Sequence, residues 1–168
     1  MRYTPQVIVE NDMVFTIPLY QRLFEWSKDN VMQLLDDLNS AFEKYKKLDA
    51  AMDDDNSDYY IGMLTSTTAR NDEKRMYLVD GQQRFTVMTL IGCVMQHFAH
   101  DLWHSFLLND GKPRLSFVSR KSDEMYLQKL IQEDFKYDGN YSANARAISL
   151  SNGNLNYEPC LNAYQSVK

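Results

Sequence analysis

Cysteine is scarce in this chain, with only Cys93 and Cys160 among 168 residues. Two thiols so far apart exclude a disulfide framework and a CxxC metal site, and both read as reduced thiols. No apolar run approaches the roughly 20 residues of a membrane-spanning helix. The N-terminus has a lone Arg2 followed by polar residues and Pro5, without the apolar stretch of a secretory signal. The expectation is a cytoplasmic location without membrane contact. The chain also lacks an excess of positive charge: its net charge of −5 argues against strong nonspecific nucleic-acid affinity, though it leaves room for a local basic groove. The six glycines are dispersed, and no Gly-rich lysine loop of the P-loop type occurs. Much of the acid is gathered between Asp49 and Asp58. The run Asp53-Asp54-Asp55 hints at a calcium loop, but Asp58 stands where the sixth-position Gly belongs and Leu64 where the twelfth-position Glu belongs. A solvated connection is the better reading.

What is present reads as an α+β chain. Residues 6–17 suggest two short strands or a hairpin, Val7-Ile8-Val9 and Met13 to Ile17. Ser27 opens a helix whose apolar face carries Val31, Leu34, Leu35, Leu38, Phe42 and Tyr45. Tyr59 to Leu64 looks like a strand, and a polar turn around Arg70 to Lys74 leads into a second strand ending at Val79, the pair forming a hairpin. A long helix is predicted from about Gln82 to His104, with an apolar stripe broad enough for burial on more than one side. Asn109 to Lys112 is a turn signal, Arg114 to Val118 a further strand, and Ser122 a helix start. Residues 138–156, rich in Asn, Ser and Gly, read as a loop, and Pro159 as the first turn of another helix. The division expected is a domain over 1–108 and a partial, mostly helical extension over 109–168, the N-terminal piece of a longer protein.

Along the long helix, Cys93, His97, His100 and His104 recur at steps of four, three and four. A collinear row cannot easily surround a tetrahedral ion, so the reading is a polar or covered face, with no metal site.

The stretch with chemistry in it is Asp80-Gly81-Gln82-Gln83-Arg84. A strand turning on Asp-Gly into a helix presents unpaired amides and the positive end of a helix dipole to an anion. Arg84 adds a planar fork suited to phosphate, Asp80 a carboxylate able to cap the helix, hold a metal or orient water, and the glutamines uncharged donors and acceptors. The bland alternative is a capping box, Asp80 with Gln83, and a surface Arg84. A second cluster, Ile17-Pro18-Leu19-Tyr20-Gln21-Arg22 followed by Trp26, repeats a Gln-Arg pair beside aromatics.

These two motifs, separated by an amphipathic helix and Tyr60-Ile61-Gly62 and followed by Phe85-Thr86, resemble the N-terminal domain of GmrSD-type, modification-dependent restriction proteins over roughly residues 10–135. The resemblance implies a ParB/sulfiredoxin-like fold, a small mixed sheet with packed helices followed by the start of a helical region. It implies binding and hydrolysis of a nucleoside triphosphate with Mg²⁺, coupled to restriction of modified DNA. The nuclease, of the His-Asn-His type, would belong to a separate C-terminal domain or subunit, since all three histidines lie at or before residue 104. Homo-oligomerisation is left open. Carried onto this sequence, Gly81 and the following amides would meet phosphate and Arg84 would neutralise it. Asp80 would position Mg²⁺ or water, Gln82 or Gln83 would orient the nucleophile, and Tyr20, Gln21 and Arg22 would line the same pocket or a neighbouring DNA-sensing surface. Against this stands a purely structural strand end with Tyr20 and Trp26 in the core. Gln82 occupies the position of the sulfiredoxin cysteine, so that redox activity does not carry over, and Phe85 replaces the common Leu. A non-catalytic ParB-like module binding DNA or protein is the alternative function.

Overall fold

The computed structural model describes residues 4–22, 24–48, 59–96, 99–118 and 121–132. The readings for the acidic segment 49–58, His97, Cys160, the 138–156 segment and the helix after Pro159 fall outside them.

The chain opens with helix α1 (Pro5–Glu10) instead of the first expected strand. The Thr4 hydroxyl accepts the Val7 N–H at 3.2 Å and Pro5 takes the first helical position, while the Asn11 side chain donates to the Val7 carbonyl at 2.8 Å. Caps at both ends overrule the β preference of Val7-Ile8-Val9, and the turn buries Ile8. Strand β1 (Val14–Ile17) follows as expected, almost wholly buried. Helix α2 (Lys28–Leu48) starts where Ser27 and Asn30 cap one another, Ser27 N–H to Asn30 Oδ1 at 2.9 Å and Asn30 N–H to Ser27 Oγ at 3.3 Å. Val31 and Leu34 enter the core, whereas Phe42 and Tyr45 farther along the same stripe are exposed.

Residues 59–64 are irregular, and the hairpin begins only after them: β2 (Thr65–Ala69) pairs antiparallel with β3 (Asp72–Asp80). Gly62, at φ +126°, interrupts the extended backbone that the Tyr-Tyr-Ile run favours. The expected single helix from Gln82 is two, α3 (Gln82–Met95) and α4 (His100–Leu107). Gln96 is buried between them, its Nε2 donating to the carbonyls of Cys93 at 3.2 Å and of Ile131 at 3.3 Å. That pairing holds the end of α3 while α4 folds back, so close that a Cβ on Gly92 would stand 3.1 Å from Leu107. The ribbon β4 (Leu108–Asn109) and β5 (Lys112–Pro113) turns at Asp110 and Gly111, both at positive φ, so the turn expected there closes a tight hairpin. Strand β6 (Leu115–Phe117) and helix α5 (Lys121–Gln132) complete the described chain.

The result is the α+β architecture expected, with a small mixed sheet in the order β2-β3-β1-β6. Strand β1 lies between β3 and β6, parallel to both, with Val14 opposite Arg75 and Ile17 opposite Phe117. Helix α3 is buried on several sides, and Phe85 packs 4.4 Å, centroid to centroid, from Phe15 and 6.2 Å from Phe106. Phe85 therefore joins sheet and helices, worth about 2–3 kcal/mol of apolar burial. Arg114 is buried too, donating to the Ser105 carbonyl at 2.8 Å and the Met13 carbonyl at 3.0 Å, and burial lowers its pKa.

Candidate functional site

Parallel neighbours β1 and β3 end on the same side of the sheet, so the loops leaving them meet there. Carboxyl ends of parallel strands are the usual location of ligand sites in such sheets. The loop after β1 carries Gln21, Arg22 and Trp26, and the turn after β3 carries Asp80 to Arg84. All eight of these residues line one cleft of about 110 Å³.

Gly81 makes the turn. At φ +85° it holds the N-cap position of α3, and a Cβ there would lie 2.8 Å from the Met63 carbonyl oxygen. A residue with a side chain is opposed twice, by its own backbone and by the 63–64 segment. Asp80 does not cap α3: its Oδ1 accepts the adjacent Gly81 N–H at 2.7 Å, and no side chain caps the helix at Gly81. The capping-box alternative is thereby overturned, because Gln83 reaches elsewhere. Its Oε1 accepts the backbone N–H of Glu25 at 2.8 Å.

Both glutamines tie α3 to the loop after β1. Gln82 donates through Nε2 to the Arg22 carbonyl at 2.8 Å, which fixes the amide's orientation, since a flipped amide would set oxygen against oxygen. Its Oε1 is buried and has no hydrogen-bond partner among the described residues. From the loop side, Gln21 donates through Nε2 to the Val79 carbonyl at 2.7 Å. Three side-chain amides thus lock two loops together.

The arginines flank the cleft. Arg84 donates to the Met63 carbonyl at 2.7 Å and packs against Gly62, where a Cβ would stand 3.0 Å from Nε. Arg22 is exposed and pairs with Glu25, Nη1 to Oε2 at 3.2 Å. Of the residues singled out in the sequence, Gln21, Arg22, Asp80, Gly81, Gln82, Gln83 and Arg84 come together in the cleft. Tyr20 does not line it and is 72% exposed, which overturns its placement in the core. Trp26 packs partly against the core and also walls the cleft. Sequence reasoning missed Glu25 and Met63 and gave Gly62 no role beyond its place in Tyr60-Ile61-Gly62: the first is an unremarkable loop acid, and the others act through backbone and space.

The Cys93–His104 row is broken apart. Cys93 is buried in α3, where burial pushes its thiol up to about 12, while His100 and His104 stack on α4 with centroids 4.6 Å apart. No group of three or more metal-ligating side chains occurs among the described residues. No helix among them is long and apolar enough to cross a membrane.

The model of one protein family, described as the GmrSD restriction endonuclease N-terminal domain, matches residues 6–166. No curated protein matches the chain.

Proposed function

The chain belongs to the GmrSD restriction endonuclease N-terminal domain family, and from that premise of a restriction system we propose that it binds and hydrolyses a nucleoside triphosphate at the Asp80–Arg84 turn, regulating a nuclease domain or subunit that acts on modified DNA. The observation that carries this reading is the buried, unpartnered Oε1 of Gln82 beside the cleft. A turn with only a structural purpose does not explain an acceptor left unsatisfied at a cost of about 1–3 kcal/mol. A water or ligand O–H admitted when the cleft opens would satisfy it, and the attacking water of the proposed reaction is such a donor.

The remaining groups divide the work. The first-turn amides of α3 and the dipole behind them attract the phosphates, and Arg84 and Arg22 supply positive charge as the chain of phosphates becomes more negative at its leaving end. Water adds to the terminal phosphorus, the bond from that phosphorus to its bridging oxygen breaks, and orthophosphate and a nucleoside diphosphate leave. Asp80 is the residue that fits Mg²⁺: it is exposed, and a lone carboxylate suits an ion that keeps several waters and takes its other ligands from phosphate. When bound, that ion would neutralise charge on the phosphate oxygens. Tyr20, Gln21 and Arg22 belong to the same nucleotide-binding loop, with Gln21 holding the loop to β3.

Isothermal titration of nucleoside triphosphates with Mg²⁺, alongside phosphate release, tests the assignment. Arg84→Ala and Asp80→Ala are expected to weaken binding by about ten- to a hundredfold while retaining the wild-type circular dichroism spectrum. Unchanged affinity in both variants would remove the site from this turn and favour a non-catalytic ParB-like module.

A further inference from the structure

The cleft is small and polar for the ligand it is assigned. At about 110 Å³ it falls below the roughly 300–1,000 Å³ of sites that enclose a drug-sized ligand. Among the described residues its walls are glutamine, arginine, aspartate and glycine, with Trp26 the one aromatic. Such a space takes the phosphate tail, and the nucleoside must lie on whatever surrounds the mouth.

The segments that adjoin the cleft carry exposed apolar side chains. Leu19, Tyr20, Tyr59, Tyr60, Met63 and Val79 are six of the large hydrophobic residues left open to solvent. Three contacts bring their segments to the cleft. Gln21 Nε2 bonds the Val79 carbonyl at 2.7 Å, so residues 19–21 lie along the end of β3. The Met63 carbonyl accepts Arg84 at 2.7 Å and stands 2.8 Å from the Cβ site of Gly81. Gly62 packs under the guanidinium of Arg84, which lines the cleft, and Tyr60 lies two residues before Gly62 in the chain. Isolated exposed apolar residues need no explanation, but a set gathered from three segments at one mouth does.

We infer that the 59–63 segment is the nucleoside-facing wall of the site, with Tyr60 stacking on the base of a nucleoside triphosphate whose phosphates occupy the cleft. The inference rests on the triphosphate reading above. Tyr60, at 76% exposure, presents the most open large side chain of the set, and a tyrosine ring offers any base a face for stacking without reading its edge. The wall carries no charged side chain, so the subsite grips bases of every kind and leaves discrimination among them weak.

Inorganic tripolyphosphate separates the two halves of the site. Wild-type chain, Tyr60→Ala and Tyr60→Phe are titrated with tripolyphosphate and with the four ribonucleoside triphosphates, all with Mg²⁺. Expected are triphosphate affinities within about tenfold of one another for the wild type, a loss of about five- to a hundredfold for each in Tyr60→Ala, retention in Tyr60→Phe, and an unchanged affinity for tripolyphosphate throughout. Nucleoside triphosphate affinity untouched by Tyr60→Ala overturns the wall and gives the rim to another occupant, a protein or a nucleic-acid base. Equal losses for tripolyphosphate and nucleotides overturn it as well, since Tyr60 would then act on the cleft itself. A wild type that binds neither compound overturns this inference and the triphosphate reading together.

Discussion

The side-chain oxygen of Gln83 accepts the backbone N–H of Glu25 at 2.8 Å. One glutamine at the start of a helix therefore fixes the path of the loop after β1, at a residue 58 positions earlier in the chain. Gln83→Ala removes that bond and a buried side chain, at about 1–2 kcal/mol. The melting temperature should fall by roughly 2–8 °C for a chain of this length, as read by thermal circular dichroism. Triphosphate affinity should fall with it, because Arg22 rides on the loop that loses one of its three amide ties.

Gly81→Ala should be harsher. The substituted residue would have to hold φ +85° with its Cβ 2.8 Å from the Met63 carbonyl oxygen. Positive φ alone costs an L-residue about 1–2 kcal/mol, and the clash adds to it. Urea unfolding should show a loss of about 3 kcal/mol or more; a midpoint unchanged from the wild type would mean the turn is not built this way.

The pair between Arg22 and Glu25 sets up a competition. A phosphate arriving at Arg22 must displace a carboxylate 3.2 Å away that repels it. Exposed pairs of this kind are worth about 0.2–1 kcal/mol, so Glu25→Gln should tighten triphosphate binding by about two- to fivefold in calorimetry, more at low salt than at high. Weaker binding instead would make Glu25 a contributor to the site, through a hydrated cation, for example.

Cys93 supplies a pH signature. Its thiol is pushed by burial from the ordinary 9.0 up to about 12. Above pH 9 the unfolded chain sheds this proton while the folded chain keeps it, so unfolding gains and stability falls. The contribution is complete below pH 9 and is lost as pH climbs toward 12, at up to about 1.4 kcal/mol per unit. Chemical denaturation of Cys93→Ala should show a shallower alkaline decline than the wild type.

The strand–turn–helix at Asp80–Arg84, the second strand of the hairpin ending there, the Ser27 cap and the Asn109–Lys112 turn were legible, because each is set by local chemistry, whereas the first strand of that hairpin lies at Thr65–Ala69 and not at Tyr59–Leu64. The joining of Gln21 and Arg22 to that turn was legible only as a shared Gln-Arg pattern, since the partners of Gln21, Gln82 and Gln83 are distant backbone groups. Pro5–Glu10 had its helix signals in Thr4 and Pro5, which a three-residue β-branched run obscured. The break after Met95 was not legible from periodicity: the apolar spacing runs on unbroken, and what ends α3 is a buried Gln96 bonded to α5. Gly92, which lets α4 fold back, was the local clue.

The place of β1 between β3 and β6 constrains the order in which the chain can fold. Val14 finds its first sheet partner at Arg75 and Leu115 supplies the second to Phe15, so β1 must wait while most of the described chain is made. The β2–β3 hairpin needs no such wait, because closing a short loop is fast where distant parallel pairing is slow. On the ribosome the Asp80 turn would form on its hairpin first, and its partner loop would be brought to it only when β1 docks, making completion of the cleft a late event in folding.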